Sequence, residues 1–342
     1  MTARLRAGLL GLGMMGRNHA RVLRSLPDVD LVAVGDSHGD PHGVAAPNDL
    51  LPDVDAVLAA GVDLVVVATP TATHLEVGTR LAQAGVPTLI EKPLGHDEES
   101  AEALVEAFAR HGTLGAVGHV ERYNPALQNL RRRLAQGQLG EVFQVVTRRQ
   151  GPYPARIADV GVIFDLATHD IDLTAWVTGH EYVSVSARTA YRSGRRNEDL
   201  VSSVGQLADG TVVTHLVNWL SPLKERVITV TGERGCLVAD TLSVDLTYYE
   251  NGTEDVTWDA VAAFRGVREG DVTRYAIAKP EPLVSELSAF VAAVRDQASG
   301  GDASGIVTLE QGLATVRVAE ALRRSAQGGE TTKVGNTKIG AA

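Results

Sequence analysis

The chain has 342 residues, 44% of them apolar and 22% charged; that length favours two hydrophobic cores over one, and the balance excludes collagen-like, mucin-like and disordered classes. A formal net charge of -10 opposes binding to nucleic acid or to an anionic membrane, because such phosphates are held mainly by clustered Lys and Arg. The single cysteine, Cys236, cannot close an internal disulfide; in a strand-like run it reads as a buried small hydrophobe, and it suits a reducing, cytoplasmic setting.

Arg4 and Arg6 before an apolar run copy the start of a signal peptide. The run is interrupted by glycines, is followed at once by Arg17, His19 and Arg21, and lacks a small-residue cleavage pattern, so it reads as part of the folded chain. No other apolar run approaches the roughly 20 residues that span a bilayer, so no membrane partner is expected.

From Arg4 to about His119, short apolar strands alternate with amphipathic helices, the rhythm of a parallel sheet covered on both faces. Strands are predicted at 5–10, 31–34, 64–68, 88–90 and 114–117, with helices at 15–26, 74–84 and 98–110. After a helix at 127–135, strand-like runs follow one another at 142–147, 182–189, 200–207, 212–219, 225–231, 237–239, 244–249 and 256–258. Asp209-Gly210 and Glu250-Asn251-Gly252 are hairpin signals between them. Helices are predicted at 164–178, 284–298 and 309–326. The expected fold is therefore α/β: a doubly wound parallel sheet over residues 1–120, then an α+β domain with a large, mostly antiparallel open sheet over 121–327. Residues 328–342 are expected to form a loosely held tail. Arg131-Arg132-Arg133 reads as a solvated helix face or as a small diphosphate-gripping patch.

Gly11-Leu12-Gly13-Met14-Met15-Gly16 follows the first strand and opens the first helix, and Asp36 stands twenty positions beyond Gly16 at the end of the next strand. That is the spacing of a dinucleotide site. Gly11 permits the turn, Gly13 lets the backbone approach a pyrophosphate, and Gly16 allows helix-to-strand packing, with Met14 and Met15 inside the cradle. Asp36 would accept from ribose hydroxyls and repel a 2′-phosphate, which favours NAD over NADP. The third strand ends in Thr69-Pro70 and leads to His74, read either as cofactor contacts or as an N-cap and an ordinary first-turn residue.

The next strand ends in Glu91-Lys92-Pro93, which puts a carboxylate and an ammonium at the same crevice as cofactor contacts, either paired in a salt bridge or used as catalytic groups. Asp165, His169 and Asp172 then recur four and three apart on one face of an otherwise apolar helix. An acid–base pair and a metal site are both compatible with that trio, and so is a satisfied core histidine.

These motifs together resemble the Gfo/Idh/MocA family of oxidoreductases over nearly the whole chain. The resemblance implies a Rossmann domain followed by a sheet domain for substrate and oligomer contacts, a homodimer or homotetramer, and oxidation or reduction of a secondary alcohol carbon of a sugar or cyclitol with NAD. It implies that Lys92 is the catalytic lysine, with a cis bond to Pro93, and that Asp165 and His169 form the acid–base pair without a metal. In that chemistry His169 takes a hydroxyl proton, Asp165 orients the imidazole, and Lys92 steadies the alkoxide or relays the proton; which of Lys92 and His169 is the formal base stays open. The run from Val117 to Pro125 resembles the branch that oxidises the 3-hydroxyl of nucleotide sugars such as UDP-N-acetylglucosamine or UDP-glucose. On that branch Arg122, Asn124, Tyr153 and Arg156 are expected to contact sugar or diphosphate. An inositol or free-sugar dehydrogenase, or a non-catalytic NAD-binding scaffold, remains the alternative.

Overall fold

A short run of apolar residues buried on both faces can only be an interior strand, and Leu5–Leu10 (β1) is one: its last four residues are fully enclosed. This computed structural model describes residues 3–40, 42–45, 50–153, 160–252, 269–301 and 304–335. The chain forms two compact units, each taken here by itself.

The first unit comprises the described residues of 1–120 and 281–317. Around β1 stand Val29–Gly35 (β2), Leu50–Leu51 (β3), Leu64–Val67 (β4), Thr88–Glu91 (β5) and Gly115–Gly118 (β6), in the order β3-β2-β1-β4-β5-β6 with every pair parallel. The order reverses between β1 and β4, so the crevice at their carboxyl ends is the place where such sheets hold ligands. Helices Met14–Ser25 (α1), Val54–Ala59 (α2), His74–Gln83 (α3) and Glu98–His111 (α4) join the strands. β3 and α2 had no clear periodic signal, being two and six residues long.

The expected grouping of residues 121–327 as one domain does not describe the molecule, because 281–317 belong to the first unit. Pro282–Ala298 (α7), although late in the chain, sends Leu283, Leu287, Phe290, Val291 and Val294 into the same core as Ala20 and Leu23 of α1 and Leu64, Val66 and Leu89 of the sheet. Its apolar face needs a parallel sheet to cover, and the first unit provides one.

The second unit comprises the described residues of 121–280 and 318–337. Its sheet has, among the described residues, nine strands: Val142–Pro152 (β7), Tyr182–Ala190 (β8), Leu200–Leu207 (β9), Val212–Asn218 (β10), Leu220–Gly232 (β11), Gly235–Asp240 (β12), Asp245–Asn251 (β13), Glu269–Arg274 (β14) and Thr332–Lys333 (β15). The order is β14-β13-β12-β11-β7-β10-β9-β8-β15, antiparallel except for the parallel pair β7–β10. The strand expected at 256–258 lies outside the described residues. Pro125–Ala135 (α5) and Thr168–Thr178 (α6) pack on the buried face with the second half of Leu309–Gly328 (α8).

Residues just beyond α8 are held rather than loose. β15 pairs with Val185 and Ser184 of β8, and Val334 is 9% exposed. Cys236 is half-buried, because register places it with Thr231 and Tyr249 on the outer face of the sheet. Among the described residues no helix is long and apolar enough to cross a membrane.

Candidate active site

At the end of β1 the backbone turns at Gly11, whose φ of 88° suits only glycine; a Cβ there would meet the Ala68 backbone at 2.5 Å. A Cβ on Gly16 would lie 1.9 Å from the Gly11 carbonyl oxygen, whereas one on Gly13 would meet nothing within 4 Å. The turn is therefore packed on its inner side and open at Gly13. Gly13 is the N-cap of α1 and supplies no side-chain cap, so the first N–H groups of that helix face the open side. Met14 is exposed there and Met15 lies beside it. Asp36 accepts from the Leu12 N–H through Oδ2 and from the His38 N–H through Oδ1, both at 2.7 Å. It braces the glycine turn, and each oxygen keeps lone-pair capacity for a ribose hydroxyl. These residues fit a bound dinucleotide: an open cradle for the pyrophosphate with an acidic residue beside it.

The Thr69 segment works differently from either expectation. Thr73, at the N-cap of α3, makes no cap; its hydroxyl donates to Thr69 Oγ1 and to the Pro70 carbonyl, both at 2.8 Å. His74 is 1% exposed. Its Nδ1 lies 3.1 Å from the Pro93 carbonyl and its Nε2 3.1 Å from the Thr69 carbonyl, so the ring ties the loop after β4 to the loop after β5. Burial lowers its pKa against the pull of the Thr69, Leu94 and Pro93 carbonyls. This is a structural post in place of the expected direct cofactor contact.

Glu91 closes β5 and is 7% exposed. His19 on α1, wholly buried, donates through Nε2 to Glu91 Oε1 at 2.7 Å, and the Lys92 N–H donates to Oε2 at 3.2 Å. Burial would raise the Glu91 pKa, but the His19 bond and the charges of His19 and Lys92 hold it below the usual range. The Lys92–Pro93 peptide is cis. A Cβ on Gly118 would sit 3.2 Å from the Glu91 carboxyl carbon, so β6 approaches Glu91 as closely as glycine permits. Sequence reasoning missed His19, although Gly16, His19, Ala20 and Leu23 share one buried helical face and a histidine there needs a partner. It also missed Glu286 on α7, a carboxyl with neither oxygen hydrogen-bonded among the described residues. Burial and the charge of Glu91 push its pKa well up.

In the second unit, Arg122 and Asn124 have other work than the expected substrate contacts. Arg122 grips Asp172 through Nε at 2.8 Å and a terminal nitrogen at 2.6 Å, with both side chains nearly out of solvent. Asn124 caps α5 by accepting from the Ala126 N–H and donates to the Thr241 carbonyl. Tyr153 stands edge-on to Trp219, ring centroids 5.4 Å apart. Arg156 lies outside the described residues. Arg131 stacks on Trp176 at 4.8 Å, so that corner of the basic cluster is more than a solvated face.

The helix expected at 164–178 begins instead with a π-helical turn, Ile163–Ala167, and continues as α6. Glu198 caps its start, taking the Ile163 N–H on Oε1, while the Glu198 carbonyl takes the Val162 N–H. A Cβ on Gly161 would overlap that carboxylate at 2.0 Å. Asp165 lies in the wide turn, 7% exposed. Asp172 is committed to Arg122, and no group of three His, Cys, Asp or Glu side chains that could hold a metal ion is found among the described residues.

His169 is joined by residues that spacing could not reveal. Its Nδ1 lies 3.8 Å from Glu121 Oε1. Arg149 of β7, 3% exposed, donates to both Glu121 oxygens at 2.5 and 2.6 Å, and through Nε to Asp170 Oδ2 at 3.1 Å. Burial pushes Asp170 up to about 6, with Glu121 adding to the rise and Arg149 opposing it. Two carboxylates share one guanidinium, so the second proton is released late. Arg226 completes the group; burial and Arg149 lower its pKa, while Glu121, Asp170 and Asp165 pull the other way.

Residues 5–119 match the family described as an oxidoreductase family with an NAD-binding Rossmann fold, and residues 127–238 match the Gfo/Idh/MocA C-terminal domain. The chain is 32% identical to the UDP-N-acetylglucosamine 3-dehydrogenase of Acidithiobacillus ferrooxidans over 85% of its own length and 88% of that protein's. A solved structure of that enzyme superposes with a TM-score of 0.79 at 28% identity, covering 96% of this chain and 99% of the other. The inositol 2-dehydrogenase of Rhizobium meliloti (strain 1021) is 28% identical over 94% of this chain and 96% of its own. The glycine turn, the acidic residue beyond it and the matches along both units make this chain a member of the Gfo/Idh/MocA family of NAD-binding oxidoreductases.

Proposed function

We propose that the protein oxidises the C3 hydroxyl of a nucleotide-linked hexose, such as UDP-N-acetylglucosamine or UDP-glucose, to the 3-keto sugar. The observation that carries this reading is the 32% identity, along 85% of the chain, to a dehydrogenase named for that reaction. NAD, when bound, supplies the hydride acceptor. The Gly11–Gly16 turn, Met14, Met15 and Asp36 hold it, with Thr69, Pro70, Glu91 and Lys92 at the same crevice.

Loss of a hydride from a carbinol is easy only as the hydroxyl proton leaves. In this reading His169 takes that proton, Asp165 supports the charged imidazole, and the Lys92 ammonium hydrogen-bonds the developing alkoxide. Tyr153 and Arg156 are the remaining candidates for the sugar or diphosphate. The outer face of the nine-stranded sheet exposes Val204, Val212, Tyr249 and Val272, which supports a homodimer or homotetramer packed through that face.

A second reading, an inositol 2-dehydrogenase, is favoured by the relative that matches 94% of the chain. NADH absorbance with UDP-N-acetylglucosamine, UDP-glucose, glucose and myo-inositol separates the two. A signal confined to the nucleotide sugars is expected; a signal confined to inositol overturns the first reading. Because a 3-keto product accumulates poorly, each assay is run with and without a coupled transaminase. Lys92→Met and His169→Gln should each abolish turnover, and His169→Gln should leave NAD binding, read by fluorescence, intact.

A further inference from the structure

We propose that Glu121, clamped by Arg149, is a positioning residue that holds His169 in the tautomer with Nδ1 protonated and Nε2 open to accept a proton. The proposal rests on His169 being the base and deepens that reading.

The geometry is local to the second unit. Glu121 Oε1 lies 3.8 Å from His169 Nδ1, and a movement of the imidazole by about 1 Å toward that carboxylate makes a direct bond. Both Glu121 oxygens are already fixed by the two terminal nitrogens of Arg149, and that arginine is 3% exposed. A side chain held at both oxygens has few rotamers left, so its carboxylate stays on the Nδ1 side of the ring. Arg149 also holds Asp170, the residue after His169, through Nε. One guanidinium therefore anchors the carboxylate facing the imidazole and the backbone neighbour of that imidazole.

A carboxylate at Nδ1 fixes the proton there and leaves Nε2 as acceptor. It also stabilises the imidazolium that forms when the substrate proton arrives. The charged groups around His169 are Glu121 from the turn before α5, Arg149 from β7, Arg226 from β11, and Asp165 and Asp170 from its own helical segment.

The test compares pH profiles of kcat/KM for the wild type, Glu121→Gln and His169→Gln with the nucleotide sugar identified as substrate. Removing the carboxylate should lower the pKa of the base, moving the acidic limb down by about one pH unit and reducing kcat about tenfold with little change in KM. A role confined to folding would lower the amplitude and leave the limb in place, and that result overturns the proposal. If His169→Gln keeps the limb and the activity, the underlying assignment of the base fails instead. Should Glu121→Gln not fold, 15N shifts of His169 in the wild-type protein decide: protonation at Nδ1 in the neutral ring is expected, and protonation at Nε2 overturns the proposal.

Discussion

His19 Nε2 lies 2.7 Å from Glu91 Oε1, and neither group has more than a trace of exposure. Removing one partner of such a pair leaves the other buried and unmatched. His19→Leu is expected to destabilise the protein by about 3–5 kcal/mol in urea unfolding. His19→Gln, which keeps a donor in the same region, should lose about half of that or less. Loss in the leucine variant should also slow turnover, since Glu91 accepts from the backbone N–H of Lys92.

Glu286 stands apart from such pairing: neither oxygen finds a donor among the described residues, and Glu91 repels its charge. A carboxyl whose pKa is raised on folding contributes stability that is full below its unfolded value of 4.5 and is lost as pH rises through the folded value. Glu286→Met should therefore stabilise the protein at pH 8, on the order of 1–3 kcal/mol, with the advantage fading toward pH 4. Equal stability of the two proteins at pH 8 would count against a neutral, unpartnered acid.

The glycine turn, Asp36, Lys92 and the strand-and-helix rhythm were legible in the sequence because each is encoded within a few residues of itself. The ring of groups around His169 was not. Glu121 and Arg149 come from a turn and a strand distant in the chain, and nothing in the spacing of Asp165, His169 and Asp172 announces that Arg122 takes the third of them. The same blindness made Arg122 and Asn124 look available for substrate, since a charge or an amide in a sequence carries no mark of its partner. α7 was readable as a helix, but periodicity does not say which sheet its apolar face will cover.

His215 is wholly buried on β10, with Nδ1 2.7 Å from Thr147 Oγ1 and Nε2 2.8 Å from Tyr182 Oη. Burial drives its pKa down to about 4 from 6.5. A histidine depressed in this way contributes stability that is present above pH 6.5 and lost as pH falls through 4. Each pH unit is worth about 1.4 kcal/mol, so urea unfolding should show the wild type losing about 3 kcal/mol relative to His215→Gln over that window.

Asp170 acts in the opposite sense. Its folded value of about 6 lies above the unfolded 3.8, so its contribution is full below pH 4 and disappears as pH rises through 6. Relative to Asp170→Asn, the wild type should lose about 3 kcal/mol between those limits. The slopes of Asp170 and His215 oppose each other in this window, so unmasking either requires the single variants, and parallel curves for wild type and Asp170→Asn would refute the assignment.

The wide turn at Ile163–Ala167 holds one residue more than an α turn would. Deleting that residue would let the hydrogen bonds close to the tighter α pattern while the helix behind it keeps nearly its phase, so the imidazole at 169 and the acid at 172 would still face their partners. What changes is the turn itself, where Asp165 sits. A shortened variant should therefore remain helical, keep its arginine pair, and displace one carboxyl, so trimming this segment for stability would defeat its own purpose at a single side chain.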